Sequence, residues 1–490
     1  MNGTSKELFL SAISCLVMQN GDVALHFRRM GNFMERNRKK ELEYLEHNYG
    51  KAGSQLLVVY GQRLIGKTTL LKTFVSDKPY IYYAARAATD EEQRRLLCEE
   101  LGLLEQRETY FSYLDIFMAI ENQSSRHKKV MIFDEFHMMI RQTTALIEDI
   151  AAYMQQRKNQ RVLFLLCSSS VAFVENHLVS KIGRNALLIG GFYKVKEQGF
   201  REVAAHFPDY SFEDRLKVYS TLGGMPGLWQ HFDRSLSWKE NVCKYMLKEG
   251  AFLRQEGGRW VADQLREAAV YHTILLRLAQ GHRKLNELHA LTGFSRAKIS
   301  VYLKNLMEYE IVEKVFSVDT DGRANTQKGI YQIKNHYLHF YFAFLWKNLS
   351  ALEMLSAEDF YELYIEPELG AYTAQYYPEL CREYVELLGE AGKLPFSFER
   401  SGKWVGKSGS IDFLAMDGNG NTLACFCHAF GGEMSLSDLE WDEFLLKQAK
   451  VKADTLYLFS LHGFSPKLKE EAANRKSLLL MDEKSLWENL

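Results

Sequence analysis

The chain of 490 residues lacks three things, and each absence excludes a class of function. Its 7 cysteines, at 15, 98, 167, 243, 381, 425 and 427, form no even, regularly spaced framework. That excludes a disulfide-stapled secreted scaffold and fits a reducing cytoplasm. No segment approaches the roughly 20 apolar residues that cross a bilayer, so no membrane role is expected. The longest apolar run, YLHFYFAFLW at 337–346, reads as a core helix. Charge of either sign is not in excess: 61 basic against 62 acidic residues leave a net charge of −1. No whole-molecule field draws the chain to nucleic acid or anionic lipid, and any such contact needs a local patch.

Two weaker signals are also set aside. At the N-terminus, ELFLSAISCLVM could pass for an export signal, but Glu7 accompanies Lys6 and the following QNGD offers no small-residue cleavage site. Residues 1–32 read as an extension, and Met30 or Met34 is a candidate start because the charged helix MERNRKKELEYLEHNYG opens at Met34. Cys425, Cys427 and His428 are of metal-ligating type, but the segment reads as a buried strand with no second ligand pair, and no metal is expected there.

What is present begins with the stretch LLVVYGQRLIGKTTLL at 56–71. An apolar strand runs into a complete G-x-x-x-x-G-K-T loop, followed by a helix. Gly61, Gln62, Arg63, Leu64, Ile65, Gly66, Lys67, Thr68 and Thr69 are the expected ATP-binding residues. The glycines let backbone N–H groups approach phosphate, Lys67 reaches the β- and γ-phosphates, and Thr68 ligates Mg2+. Such a loop needs a second strand ending in a carboxylate, and KVMIFDEFHMM at 129–139 supplies it. Asp134 is the expected magnesium partner. Glu135, on the other side of the strand's pleat, is the expected general base, and the doublet separates an ATPase from a mere nucleotide binder.

A third buried strand, RVLFLLCSSS at 161–170, ends in serines at the edge where a doubly wound sheet faces its ligand. Ser168 or Ser169 is a candidate γ-phosphate sensor; the alternative is that these hydroxyls cap the helix opening near Val171. Further on, Arg184 stands in a Gly-Arg loop before another strand, a candidate to stabilise transition-state charge in a neighbouring subunit. A nucleotide-dependent homo-oligomer is the corresponding expectation.

The order of segments resembles prokaryotic AAA-type ATPases related to the STAND class, which carry a C-terminal domain of unknown function. The stretches that carry the resemblance are ERNRKKELEYLE, VVYGQRLIGKTTLL, YIYYAARAATDEEQ, MIFDEFHMM, LCSSS, TLGGMPGLW, LREAAVYHTIL, YQIKNHYLHFYFAFLW and, in the tail, GKWVGKSGSIDFLAMD. The resemblance implies an α/β P-loop NTPase fold with a parallel sheet, a helical lid containing Gly223, Gly224, Met225 and Pro226, a winged helix, and a restriction-endonuclease-like α/β tail similar to PD-(D/E)XK nucleases. The expected divisions are an extension at 1–32, an ATPase core at 33–195, a lid at 196–262, a winged helix at 263–346 and a degenerate nuclease-like domain at 347–490. Gln62 and Leu64 depart from an arginine-richer family loop and leave the glycines and Lys67 untouched.

A winged helix also follows from periodicity alone: three amphipathic stretches, AAVYHTILLRLAQG, KLNELHALTG and SRAKISVYLKNLMEYE, precede two short strands about a polar loop. Arg296, Lys298 and Lys304 on the third helix, with Arg323 and Lys328 on the wing and Ser295 and Ser300 near a groove, are suited to DNA phosphates. Acids at 287, 308, 310, 313, 319 and 321 dilute that patch, and docking to a protein stays open.

The tail departs from nuclease chemistry. Asp412 remains on SIDFLA, but in LACFCHAF Phe426 stands where the family has glutamate and His428 where it has lysine. Phenylalanine cannot ligate a metal. Upstream, Pro378 falls at the expected helix acid, with Glu379 beside it. Two functions remain from different classes: an ATP-hydrolysing switch whose winged helix and inactive nuclease-like tail engage DNA or a DNA-associated partner, and an ATP-holding scaffold that binds a protein partner through its C-terminal half with little or no turnover.

Overall fold

The computed structural model describes residues 38–103, 112–121, 128–158, 161–263, 265–320 and 329–488. The expected extension at 1–32 and the wing charges Arg323 and Lys328 lie outside the described residues. Contacts divide the chain into two compact units that meet between Lys196 and Glu197.

In the first unit five strands, β1 (Gln55–Tyr60), β2 (Tyr80–Ala84), β3 (Lys129–Asp134), β4 (Val162–Ser168) and β5 (Ile189–Lys194), form one sheet in the order β2-β3-β4-β1-β5. Every pairing is parallel. The sequence explains why β4 is central: all seven of its residues, VLFLLCS, are buried, the continuous apolar run expected of a strand covered on both faces. Covering helices present apolar stripes. Helix Ala145–Gln156 buries Leu146, Ile147, Ile150 and Tyr153, and Tyr153 packs edge-on against Phe164 of β4. Because β4 lies between β1 and β3, the loops leaving all three strands open on one edge of the sheet. The register sets Tyr60 beside Ser168 and Phe133 beside Leu166, so the glycine loop, the serines and Asp134 arrive at nearly one level.

The second unit begins with helices, among them Phe200–His206, Phe212–Leu222 and Phe252–Ala262. Three further helices follow, Ala268–Ala279, Leu285–Thr292 and Arg296–Glu308, then an antiparallel pair, β6 (Val312–Val315) with β7 (Ile330–Ile333). Helix Arg296–Glu308 buries Ile299, Tyr302, Leu303 and Leu306 and turns its polar face outward. The apolar run at 337–346 is a core helix: His336–Phe340 continues through a wider turn, Tyr341–Leu345, and every residue from Tyr337 to Leu345 is buried. Beneath it His336 Nδ1 donates to Tyr219 O at 2.8 Å, and its Nε2 pairs with Glu379 at 3.1 Å. Burial alone would raise the Glu379 carboxyl, but the adjacent imidazole reverses that and leaves its pKa lowered.

The tail is a mixed five-stranded sheet in the order β12-β11-β10-β9-β8, with β8 (Arg400–Val405), β9 (Ser410–Met416), β10 (Thr422–His428), β11 (Thr455–Ser460) and β12 (Leu478–Met481). β8–β9 and β9–β10 are antiparallel; β10–β11 and β11–β12 are parallel. Its core joins Trp404, Ile411, Leu414, Phe426, Leu439 and Leu458. Phe426 is therefore a packing residue, 2 % exposed.

Candidate functional site at the edge of the parallel sheet

The loop after β1 is shaped by backbone constraints that only certain residues satisfy. Gly61 lies against the backbone just past β5: a Cβ placed there would come within 2.4 Å of Val195 O. Gly66 has φ 94 and opens helix Lys67–Phe74, which is the left-handed geometry glycine adopts at little cost. Leu64 takes φ 63 without being glycine, a strained position that the loop holds between two glycines. Gln62 and Ile65 are buried and Arg63 is partly buried. The Thr69 carbonyl accepts the Thr73 hydroxyl at 3.0 Å.

Lys67 is buried and folded over its own loop, its Nζ donating to Gly61 O at 3.0 Å and Gln62 O at 2.8 Å. Thr68 Oγ1 donates to Asp134 Oδ2 at 3.0 Å, joining the β1 loop to the end of β3 across the intervening β4. Asp134 is further fixed by the Tyr82 hydroxyl at 2.6 Å and by the Glu135 N–H at 3.0 Å. Burial, then the hydrogen bond to Asp134, push the Tyr82 phenol far above its ordinary pKa, so it serves as a donor. Thr68 and Asp134 together offer adjacent hard oxygen donors. That set suits Mg2+, which takes one or two protein oxygens and keeps waters and phosphate oxygens for the rest of its octahedron.

Glu135 departs from the expected geometry. β3 ends at Asp134, and Glu135 turns away with φ 53 instead of continuing the pleat. The turn carries its carboxylate to the end of β4, where Oε2 accepts Ser169 N–H at 2.9 Å and Ser169 Oγ–H at 2.8 Å, with His137 Nδ1 3.2 Å away. Burial raises the carboxyl pKa, but the His137 hydrogen bond, the Lys67 charge and the Ser169 N–H outweigh it and lower the value to about 2.

The two candidate serines separate here. Ser168 is fully buried, its Oγ 3.0 Å from His137 Nδ1 and accepting Ser170 N–H at 3.0 Å. Ser169 is the one that touches Glu135. At the helical turn opening at Val171 the N-cap residue is Ser170, which makes no side-chain cap hydrogen bond. Arg184 stands apart from this group: it is exposed on the 3-10 turn Gly183–Leu188, with no hydrogen bond or ion pair among the described residues.

Sequence reasoning missed three groups. Arg38 is 1 % exposed, and its guanidinium bonds Lys196 O and Glu41 at 2.8 Å and Ile65 O at 2.9 Å, tying the loop to the end of the sheet. Tyr82 belongs to the strand YIYYA, where period-2 alternation puts it on the face opposite Tyr83; a phenol with a polar tip near a metal-strand acid was a usable signal. His137 stood in plain view in DEFHMM.

In the tail, Asp412 meets Lys403 at 3.3 Å and accepts Cys427 N–H at 3.0 Å, while His428 pairs with Asp442 at 3.1 Å. Glu379 is engaged by His336, and Asp417 is spent on its own turn through Asn419 and Asn421. Among the described residues no group of three or more His, Cys, Asp or Glu side chains is placed to hold a metal ion.

Residues 36–232 match the family described as ATPase domains predominantly from Archaea, and residues 341–428 match archaeal and bacterial proteins of unknown function. An uncharacterized protein of Methanocaldococcus jannaschii is 25% identical over 394 residues, covering 78% of this chain and 84% of that protein. An uncharacterized ATP-binding protein of the same organism is 45% identical over 42 residues, 9% of this chain and 71% of its own length. A Walker-type ATPase of Pyrococcus abyssi aligns with a TM-score of 0.47 at 16% identity, over 62% of this chain and 95% of its own.

The Arg38 contacts generate a test. Replacing a buried guanidinium leaves two carbonyls without their donor, so Arg38→Ala is expected to cost about 3–5 kcal/mol of stability, with Arg38→Lys recovering little because an ammonium cannot span the fork. Chemical denaturation of the three proteins measures this; equal midpoints would remove Arg38 from the account of the loop.

Proposed function

We propose, from the match of residues 36–232 to ATPase domains predominantly from Archaea, that the protein is an ATP-hydrolysing switch whose C-terminal half engages DNA or a DNA-associated partner. The observation that carries the ATPase half is the Thr68–Asp134 contact of 3.0 Å, with Lys67 and Glu135 flanking it. In this mechanism the loop 61–69 wraps the phosphates, and the Lys67 ammonium exchanges the carbonyls of Gly61 and Gln62 for phosphate oxygens. Thr68 and Asp134 would hold Mg2+, which neutralises charge on the β- and γ-phosphate oxygens. Glu135 accepts a hydrogen bond from the attacking water and orients it. The His137 hydrogen bond, the Lys67 charge and the Ser169 N–H hold this carboxyl below the usual carboxylate range, so it meets the water ionised. Ser169, not Ser168, is the serine beside this chemistry, and exposed Arg184 is the group one copy would offer to the site of another.

For the second half, we read helices 268–308 with β6 and β7 as a winged helix. Ser295, Arg296, Lys298, Ser300 and Lys304 are exposed along its third helix. One observation favours the competing reading of a protein-docking module. Arg296 is bonded to Asn286, Lys298 lies over the rings of Phe294 and Tyr302, and Lys304 pairs with Glu308 at 3.8 Å. Cations so engaged must break local contacts to meet phosphate. The tail we read as a nuclease-like sheet without cleavage chemistry: Asp412 already faces Lys403, and Phe426 is core.

Two experiments separate these readings. Lys67→Ala is expected to abolish nucleotide binding, whereas Glu135→Gln keeps binding and loses turnover; full turnover in Glu135→Gln would mean that another group orients the water. For DNA, affinity is expected to fall steeply with salt, and replacing Arg296, Lys298 and Lys304 together should weaken binding and flatten the salt slope by about 2–3 units. Unchanged binding in the triple variant would turn the assignment toward a protein partner.

A further inference from the structure

The end of β3 holds a histidine that the scheme above does not use. His137 is 4 % exposed and lies with its ring 6.2 Å from that of Phe173. Its Nδ1 faces two acceptor-capable atoms, Glu135 Oε2 at 3.2 Å and Ser168 Oγ at 3.0 Å. The tautomer follows from these neighbours. With the proton on Nε2, the bare Nδ1 lone pair would confront the carboxylate oxygen, an unfavourable contact of two acceptors. With the proton on Nδ1, the ring donates toward Glu135, and Ser168 Oγ is left to accept Ser170 N–H at 3.0 Å.

The distribution of contacts on Glu135 gives this hydrogen bond its meaning. Oε2 collects the Ser169 N–H, the Ser169 hydroxyl and His137 Nδ1, while Oε1 accepts none among the described residues. A carboxylate anchored through one oxygen cannot rotate freely, and its second oxygen is fixed in direction. The backbone contributes to the same end, since a non-glycine residue at φ 53 is held there only by surrounding contacts. Ser168, one of the two serines the sequence offered for sensing phosphate, acts one layer back as a neighbour of the imidazole.

We propose that His137 is a positioning residue for ATP hydrolysis: its Nδ1–H holds Glu135 by Oε2 so that Oε1 is set for the attacking water. This rests on Glu135 as the water-orienting carboxylate. The two ring nitrogens provide the test, because an asparagine amide nitrogen falls near the Nδ1 position and a glutamine amide nitrogen near Nε2. In the full chain, kcat, KM for ATP and nucleotide affinity are measured for the wild type, Glu135→Gln, His137→Ala, His137→Asn and His137→Gln.

Loss of one hydrogen bond to a charged group predicts a fall in kcat of about 10-fold or more in His137→Ala, with KM and affinity within about twofold of wild type. His137→Asn should recover most of the rate, and His137→Gln should resemble the alanine variant. An unchanged kcat in His137→Ala, or an asparagine variant no faster than glutamine, overturns the proposal. Should the alanine variant fail to fold, the asparagine–glutamine contrast alone decides. Full turnover in Glu135→Gln would instead remove the general-base reading itself, an outcome distinct from an inactive Glu135→Gln beside a fully active His137→Ala.

Discussion

The candidate site depends on one carboxylate. Asp134 receives Thr68 from the loop after β1, Tyr82 from β2 and the N–H of Glu135 from its own chain. These contacts draw three separate segments to one point at the sheet's edge. They are possible because the strand order sets β4 between β1 and β3, so that a side chain at the end of β3 reaches over β4 to the loop. Moving Asp134 by one residue would place it on the opposite face of the strand and dissolve the junction.

Around this junction the structure separates two duties that lie on neighbouring residues. Asp134, with Thr68, has the oxygen chemistry of a magnesium site; Glu135, turned through the left-handed region, is delivered to β4 and its serine. Adjacent acids on a regular strand would point to opposite faces of the sheet. The break in β3 keeps both on the edge where phosphate is expected, at the cost of a strained backbone that Ser169 and His137 hold in place.

Much of the nucleotide half was legible because its signals are local. An apolar strand running into a glycine loop fixes where phosphate can sit, and a buried strand ending in Asp-Glu fixes where a metal partner can come from. What escaped depended on distance in sequence or on a single dihedral angle. Arg38 touches Ile65 and Lys196, and no spacing rule joins those three positions. The choice between Ser168 and Ser169 turned on which hydroxyl faced His137 and which faced Glu135. In the tail, Asp412 stood out alone, while its neighbour Lys403 comes from the preceding strand and the partner of His428, Asp442, from the helix that follows. Phe426, by contrast, was readable as a residue that no metal could use.

The most direct test of the central claim is the rate of phosphate release by the full chain at saturating ATP as Mg2+ is varied, for the wild type and for Asp134→Asn. The account predicts a rate that rises saturably with Mg2+ and disappears with chelator. It also predicts an Mg2+ requirement at least about tenfold higher when the Asp134 carboxylate becomes an amide, the loss expected for one charged ligand. Turnover that persists without divalent metal, or an Mg2+ dependence unchanged in Asp134→Asn, would contradict it.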